Sequence, residues 1–213
     1  MLEYVTFYLG IALVMNNESG FSLLEALITV LVISIGLLGY AALQMGALNS
    51  SVDSFSRSQA TTLLENAAAR IGNNTEYLRT DSLSSPNHYV GNQASGTPYT
   101  WCDTQNNSFP EAECGAGDAC SGDKLAKQDI YEVCRSLENT KFPAARIGAT
   151  CFDLDTTDTD SCSYGSRLSL YMSWQGVERK DVSGKAAYAQ NTRCQQELGL
   201  GSDYSCVQLE LVP

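Results

Sequence analysis

Four sets of side chains in this sequence have types and spacings that bear on chemistry. The first is one carboxylate, Glu25, in the stretch GFSLLEALITV from Gly20 to Val30, at the start of a long apolar run. A charged side chain in hydrocarbon costs roughly 2.5 to 3.5 kcal/mol on insertion scales, so keeping it there asks for a functional reason. The second set is eight cysteines: Cys102, Cys114, Cys120, Cys134, Cys151, Cys162, Cys194 and Cys206. No two are spaced C-x-x-C and the chain has one histidine, which argues against zinc and for disulfides formed in an oxidising compartment. Eight cysteines allow about 105 pairings, and proximity in the chain favours only Cys194 with Cys206.

The third set is Asp153, Asp155, Asp158 and Asp160 in DLDTTDTD. Carboxylate oxygens suit calcium, but the EF-hand spacing with its glycine and closing glutamate is absent, so a solvated acidic loop is expected and no metal or cofactor. The fourth is His88, read as an ordinary surface residue in a loop. No serine elbow, metalloprotease helix, phosphate-binding loop or dinucleotide glycine fingerprint occurs, so no enzyme is expected. A net charge of −11 opposes nucleic-acid binding, which needs clustered Lys and Arg.

The elements that must position these residues fall into three regions. Phe21 to Leu48 is almost wholly apolar, and Ala26 to Leu43 carries no charge, which is the length expected of a membrane-spanning helix. Gly36 and Gly39 within it fit close helix approach or local unwinding. The helical period continues through Met45, Leu48, Val52, Phe55, Leu63, Ala67 and Ile71, an apolar stripe that predicts packing against a soluble domain and stops at Gly72-Asn73-Asn74. One helix over Phe21 to Ile71 would be about 75 Å long.

From Asn73 to about Ser121 the chain is rich in Ser, Thr, Asn, Gly and Pro, with Tyr89, Tyr99 and Trp101 scattered through it; this is loop composition, which Cys102, Cys114 and Cys120 can tie. Packing is the default role for those aromatics, an adhesive surface the alternative. GDKLAKQDIYEVCRSLENTKF predicts a second helix ending before Pro143, with Leu125, Ile130, Val133, Cys134 and Leu137 on one face and Ser121 or Asp123 as its cap. Arg167 to Trp174 and Cys206 to Val212 alternate with the period of half-buried strands, and GVERKDVSGK and ELGLGSDYS read as turns. The fold class is therefore α+β: a long N-terminal helix on a C-terminal antiparallel sheet, with a second helix and a disulfide-rich loop.

Gly20 followed by Phe21-Ser22-Leu23-Leu24-Glu25 and the apolar run resembles the class III signal of type IV pilins and type II secretion pseudopilins. The resemblance implies cleavage by a prepilin peptidase between Gly20 and Phe21 and N-methylation of Phe21. It also implies a role for Glu25: the new amine of Phe21, in the same or a neighbouring subunit, would pair with that carboxylate and guide docking. LLENAAARIGNN, LAKQDIYEVCRSLENTKFP, Ser173-Trp174-Gln175-Gly176 and the closing strand through Val207 to Leu211 are similar to the PilV type of minor pilin. That resemblance implies a type IV pilin fold and partners among other minor pilins, the major pilin and the inner-membrane assembly platform. A pseudopilin is the alternative in the same class; a membrane-anchored periplasmic ligand- or calcium-binding module is the alternative in another.

The implied organisation is a leader over 1–20, a membrane or fibre-core half helix over 21–48, an amphipathic half over 49–72 and a periplasmic head over 73–213. The residues before Gly20 contain no Lys or Arg and are long for such a leader, so Met15 is read as the true start. The first basic residue is Arg57, beyond the span, and the charge rule alone would face the head to the cytoplasm. The processing signal and the cysteines place it outside.

Overall fold

A computed structural model of the chain describes residues 22–78, 87–91, 94–106, 109–115, 117, 119–157, 162–176, 179–180, 186–187 and 192–212. The elements run α1 (Leu23–Asn73), α2 (Thr75–Leu78), β1 (Tyr99–Asp103), α3 (Gly122–Thr140), β2 (Arg146–Phe152), β3 (Arg167–Gln175), β4 (Arg179–Lys180), β5 (Ala186–Ala187), α4 (Thr192–Glu197) and β6 (Tyr204–Leu211). Two compact units divide the chain at Leu48.

In the first unit, α1 opens on the Ser22 carbonyl, which accepts from the N–H groups of Glu25 (2.9 Å) and Ala26 (3.2 Å). The residues that follow are exposed almost without exception. Long apolar side chains without β-branch crowding, such as Leu23, Leu24 and Leu27, favour helix, and no proline interrupts the run.

The second unit is an α+β head. Its four-stranded sheet has the order β1-β2-β3-β6, antiparallel throughout, and β4 and β5 form a separate two-stranded ladder. One sheet face, carrying Ile147, Ala149, Cys151, Leu168, Leu170 and Met172, shares a core with Ala60, Leu64, Ala67 and Ile71 of α1 and with Ala126, Val133 and Leu137 of α3. Packing of the α1 stripe therefore begins at Ala60. Met45, Leu48, Val52 and Phe55, expected against the domain, are at least half exposed; within the second unit the core is met only from Ala60 onward, which leaves Val52 and Phe55 open.

The opposite sheet face is also covered. β3 is buried from Leu168 through Trp174, with Ser169, Tyr171 and Ser173 as inaccessible as their apolar neighbours, so the half-buried strand expected from alternation is a central strand buried on both sides. Tyr171 lies across Gly148 of β2 and bonds Thr100 Oγ1 of β1 through its hydroxyl (2.9 Å). A Cβ at Gly148 would sit 2.6 Å from that hydroxyl and would collide with the Tyr99 carbonyl, so the close approach requires glycine. On β6, α4 packs alongside and is tied to it by Cys194–Cys206.

The segment read as loop contains α2 and β1, and the tract GVERKDVSGK, read as a turn, includes the strand β4. Ser121 occupies the N-cap of α3 without a side-chain cap bond; its carbonyl accepts from Leu125 N–H (2.9 Å). Asp123, the other expected cap, is occupied elsewhere. The helix closes at Lys141 in the left-handed conformation (φ 58°), whose N–H reaches the Glu138 carbonyl.

Candidate functional site

The candidate site is the N-terminal part of α1. Gly20 and Phe21 lie outside the described residues. Glu25 sits in the first helical turn and is exposed. A carboxylate there faces the positive end of the helix dipole, which favours it electrostatically. It is also one turn from the residue where an N-terminal amine would lie if the chain began at Phe21.

Beyond Glu25, Leu27, Ile28, Val30, Leu31, Val32, Ile33, Ile35, Leu37, Leu38, Tyr40 and Leu43 are each more than half exposed. They point in every direction around the helix, a pattern that fits lipid or a bundle of like helices. The helix is long and apolar enough to cross a membrane. Two of its hydroxyls are satisfied internally: Thr29 Oγ1 donates to the Ala26 carbonyl (2.9 Å) and Ser34 Oγ to the Val30 carbonyl (2.7 Å). In hydrocarbon an unpaired hydroxyl would cost several kcal/mol, so these bonds suit the run to a waterless setting. Added Cβ atoms at Gly36, Gly39 and Gly46 would meet nothing within 4 Å, leaving room there for a neighbouring helix.

The head holds the residues that sequence reasoning missed. Asp129 of α3 is buried, yet it accepts from the Tyr89 hydroxyl (2.6 Å) and from Arg70 Nη1 of α1 (3.3 Å), while Arg70 Nη2 reaches Glu132 at 2.5 Å. Asn74 donates to the Tyr89 hydroxyl (3.1 Å) and the Gly122 carbonyl (2.8 Å), and Trp101 Nε1 donates to the Tyr89 carbonyl (2.7 Å). Burial, followed by the bond to Asp129, pushes the Tyr89 hydroxyl well above the ordinary tyrosine range. The bond from Gln128, followed by Arg70, holds the Glu132 carboxyl below the usual range. This network joins the end of α1 to α3 and to the 87–91 segment. The signal for it was Asp129 itself, three residues after Ala126 and four before Val133 on the buried helix face.

His88, expected on the surface, is half-buried: its ring stacks on Tyr77 (6.2 Å) and Nε2 lies 2.9 Å from Asp123 Oδ1. Tyr89 and Trp101 are core residues, at 1% and 7% exposure. Four disulfides join Cys102–Cys134, Cys114–Cys120, Cys151–Cys162 and Cys194–Cys206. The first ties β1 to α3 across 32 residues, and the others close short loops. Of the acidic tract, Asp153 Oδ1 accepts from Ser163 N–H (3.0 Å), Ser163 Oγ (2.5 Å) and Ser166 Oγ (3.0 Å), and Asp155 from Thr157. Burial opposes ionisation of Asp153, but the serine bonds outweigh it and hold its carboxyl below the usual range. Asp158 and Asp160 lie outside the described residues. Among the described residues no group of three or more His, Cys, Asp or Glu could hold a metal ion.

Comparison with known proteins adds one match, and it takes in the first part of this helix. Residues 15–41 match the family model for the prokaryotic N-terminal methylation motif. No curated protein and no solved structure matches. The chain thus carries the signal of a class of proteins cut and methylated at the N-terminus, ahead of an α+β pilin-like architecture, consistent with the type IV pilin family. Within that class the motif supports a pilin-like or pseudopilin protein. It implies a structural subunit rather than an enzyme, one processed by a prepilin peptidase and assembled with other pilins.

Proposed function

We propose that the protein is a minor pilin of the PilV type that takes part in priming type IV pilus assembly. On this reading a prepilin peptidase cuts between Gly20 and Phe21, and Phe21 is N-methylated. The chain sits in the inner membrane by a single span with its head in the periplasm until the helix is drawn into a bundle of similar helices. Its partners are other minor pilins, the major pilin and the inner-membrane assembly platform.

The observation that supports this reading best is the length of the uncovered apolar surface. Exposed large apolar side chains begin at Leu23 and continue to Phe55. At 1.5 Å per residue that is about 50 Å of helix, whereas the hydrocarbon of a bilayer is about 30 Å thick. The excess, Met45, Leu48, Val52 and Phe55, follows steps of three and four and forms a stripe that a simple membrane anchor would not need. Helices packed alongside one another would cover both parts. Burying Phe55 alone against a neighbour contributes about 1.5 to 3 kcal/mol.

Glu25 gives such a bundle its register. In an apolar surrounding an unpaired carboxylate is unfavourable, and the methylated amine of a neighbouring subunit supplies the counter-charge. The test is Glu25→Val in the full chain: processing should continue while the protein disappears from fibres sheared off the cell surface. Unchanged incorporation would overturn the docking role.

A further inference from the structure

The four-stranded sheet has two edges, and they are built differently. β1 is five residues long, its register with β2 shifts between Thr100 and Cys102, and Asp103 at its end is held by Arg146. Short length and a bulge are devices that keep a sheet edge from pairing with another chain. β6 lacks them. Its eight residues hold an unbroken register with β3, contain no Lys or Pro, and carry one charge, Glu210, which is engaged by Arg167 (2.7 Å) and Arg193 (2.6 Å) of its own chain.

One bond fixes which groups face outward. Gly176 N–H donates to the Asp203 carbonyl (2.7 Å), and these two residues continue the β3–β6 register. By alternation Ser205, Val207, Leu209 and Leu211 turn their main-chain groups toward β3, and Tyr204, Cys206, Gln208 and Glu210 turn theirs to the open edge. Tyr204 is occupied there: its N–H donates to Gly201 and its carbonyl accepts from Gln195 Nε2. The main-chain N–H and C=O groups of Gln208 and Glu210 have no partner among the described residues. Val207, Leu209 and Leu211, only partly buried, border the same edge on the core face.

We propose that this edge pairs with a second copy of the chain through an antiparallel β6–β6 ladder centred on Leu209. In that register Gln208 of each copy lies opposite Glu210 of the other, so the four outward main-chain groups that these two residues carry in each chain are bonded. Leu209 meets Leu209, Val207 meets Leu211, and no glutamate faces a glutamate. Centring on Glu210 instead would set like charges opposite each other, which is unfavourable. The contact is isologous, as a two-fold pair requires. Both heads are acidic, so the pairing strengthens as salt screens their repulsion. The inference uses β6 alone and stands apart from the assembly reading.

The test uses the full chain in detergent micelles. At the two-fold axis Leu209 forms a non-hydrogen-bonded pair, where Cα atoms are about 4.5 Å apart, inside the span a disulfide can bridge. Leu209→Cys should therefore give, on mild oxidation, a reductant-sensitive dimer of the chain with itself. Adding Gln208→Pro removes an outward N–H from each copy and leaves the β3–β6 ladder intact; it should lower the trapped fraction about tenfold. Gln208→Ala, which keeps the N–H, should leave trapping unchanged. A Leu209→Cys chain that stays monomeric, that traps equally well with Gln208→Pro, or that captures a different protein instead overturns the proposal. Sedimentation of the chain without the added cysteine is an independent check: the dimer fraction should rise with salt and be clearly lower in Gln208→Pro, and a monomer at every salt concentration contradicts it.

Discussion

Tyr89→Phe isolates the polar clasp that holds the end of α1 to the rest of the head. The substitution keeps the ring, which is 1% exposed and packed in the core, and removes only the hydroxyl. Two bonds are lost, the one donated to Asp129 (2.6 Å) and the one accepted from Asn74 (3.1 Å). The first involves a buried carboxylate, and hydrogen bonds to charged groups contribute about 1.5 to 3 kcal/mol. Asp129 is left with Arg70 at 3.3 Å, a longer contact from a partly exposed side chain, and Asn74 keeps its bond to the Gly122 carbonyl. The expected loss is about 2 kcal/mol. For a unit of this size each kcal/mol lowers Tm by about 2 to 4 °C, so the head should melt about 4 to 8 °C lower. Thermal unfolding followed by near-ultraviolet circular dichroism of the full chain in detergent measures this. Asp129→Asn closes a double-mutant cycle with it, and the two losses should be strongly non-additive. A Tyr89→Phe loss below about 0.5 kcal/mol, or additive behaviour, would refute the reasoning.

Other perturbations follow from the same structure. Burial pushes the Tyr171 hydroxyl up to about 12. A folded value above the unfolded one of about 10 contributes stability that is complete below pH 10 and lost as pH rises through 12, a total of about 3 kcal/mol. Tyr171→Phe should therefore flatten the fall in urea midpoint between pH 9.5 and 12, on the order of that window, and an unaltered slope would count against it. Gly148→Ala should destabilise the head by about 1 to 3 kcal/mol or prevent folding, because the Tyr99 carbonyl is backbone and cannot swing aside; a wild-type melting curve would show the close approach to be wrong. Replacing Cys102 and Cys134 together by Ala opens a loop of 32 residues. Chain entropy sets that loss at about 4 kcal/mol, measurable by denaturant titration, and more than opening the six-residue Cys114–Cys120 loop costs.

Much of this architecture was legible because its signals are local. α1 ends within two residues of its stop signal at Gly72-Asn73-Asn74, and α3 ends ahead of Pro143, since glycine, asparagine and proline act on the backbone where they stand. β3 and β6 were visible through alternation. β2 was not: Arg146-Ile-Gly-Ala-Thr-Cys-Phe is buried on both faces, its inner residues include small ones chosen for close approach, and no period of two survives. β1 and α4 are too short to emerge from polar, cysteine-bearing surroundings.

The candidate site divides the same way. Glu25 stands out because a charge in an apolar run is anomalous by itself. Asp129 does not, because its burial depends on Tyr89 and Arg70, which lie 40 and 59 residues away in the chain. The Cys102–Cys134 tie is equally non-local, while Cys194–Cys206 joins neighbours. The α1 stripe runs further than its cover for a related reason: period identifies a face, and only the fold decides what covers it. Val52 and Phe55 keep that face open.

The central claim, that this chain is a processed subunit of a surface fibre, is tested most directly by the mass of its N-terminal peptide in fibres sheared from cells. A peptide beginning at N-methylated Phe21 is the predicted result. A chain present in the fibres with residues before Phe21 still attached, or one found only in membranes with an unmethylated terminus, would contradict the account.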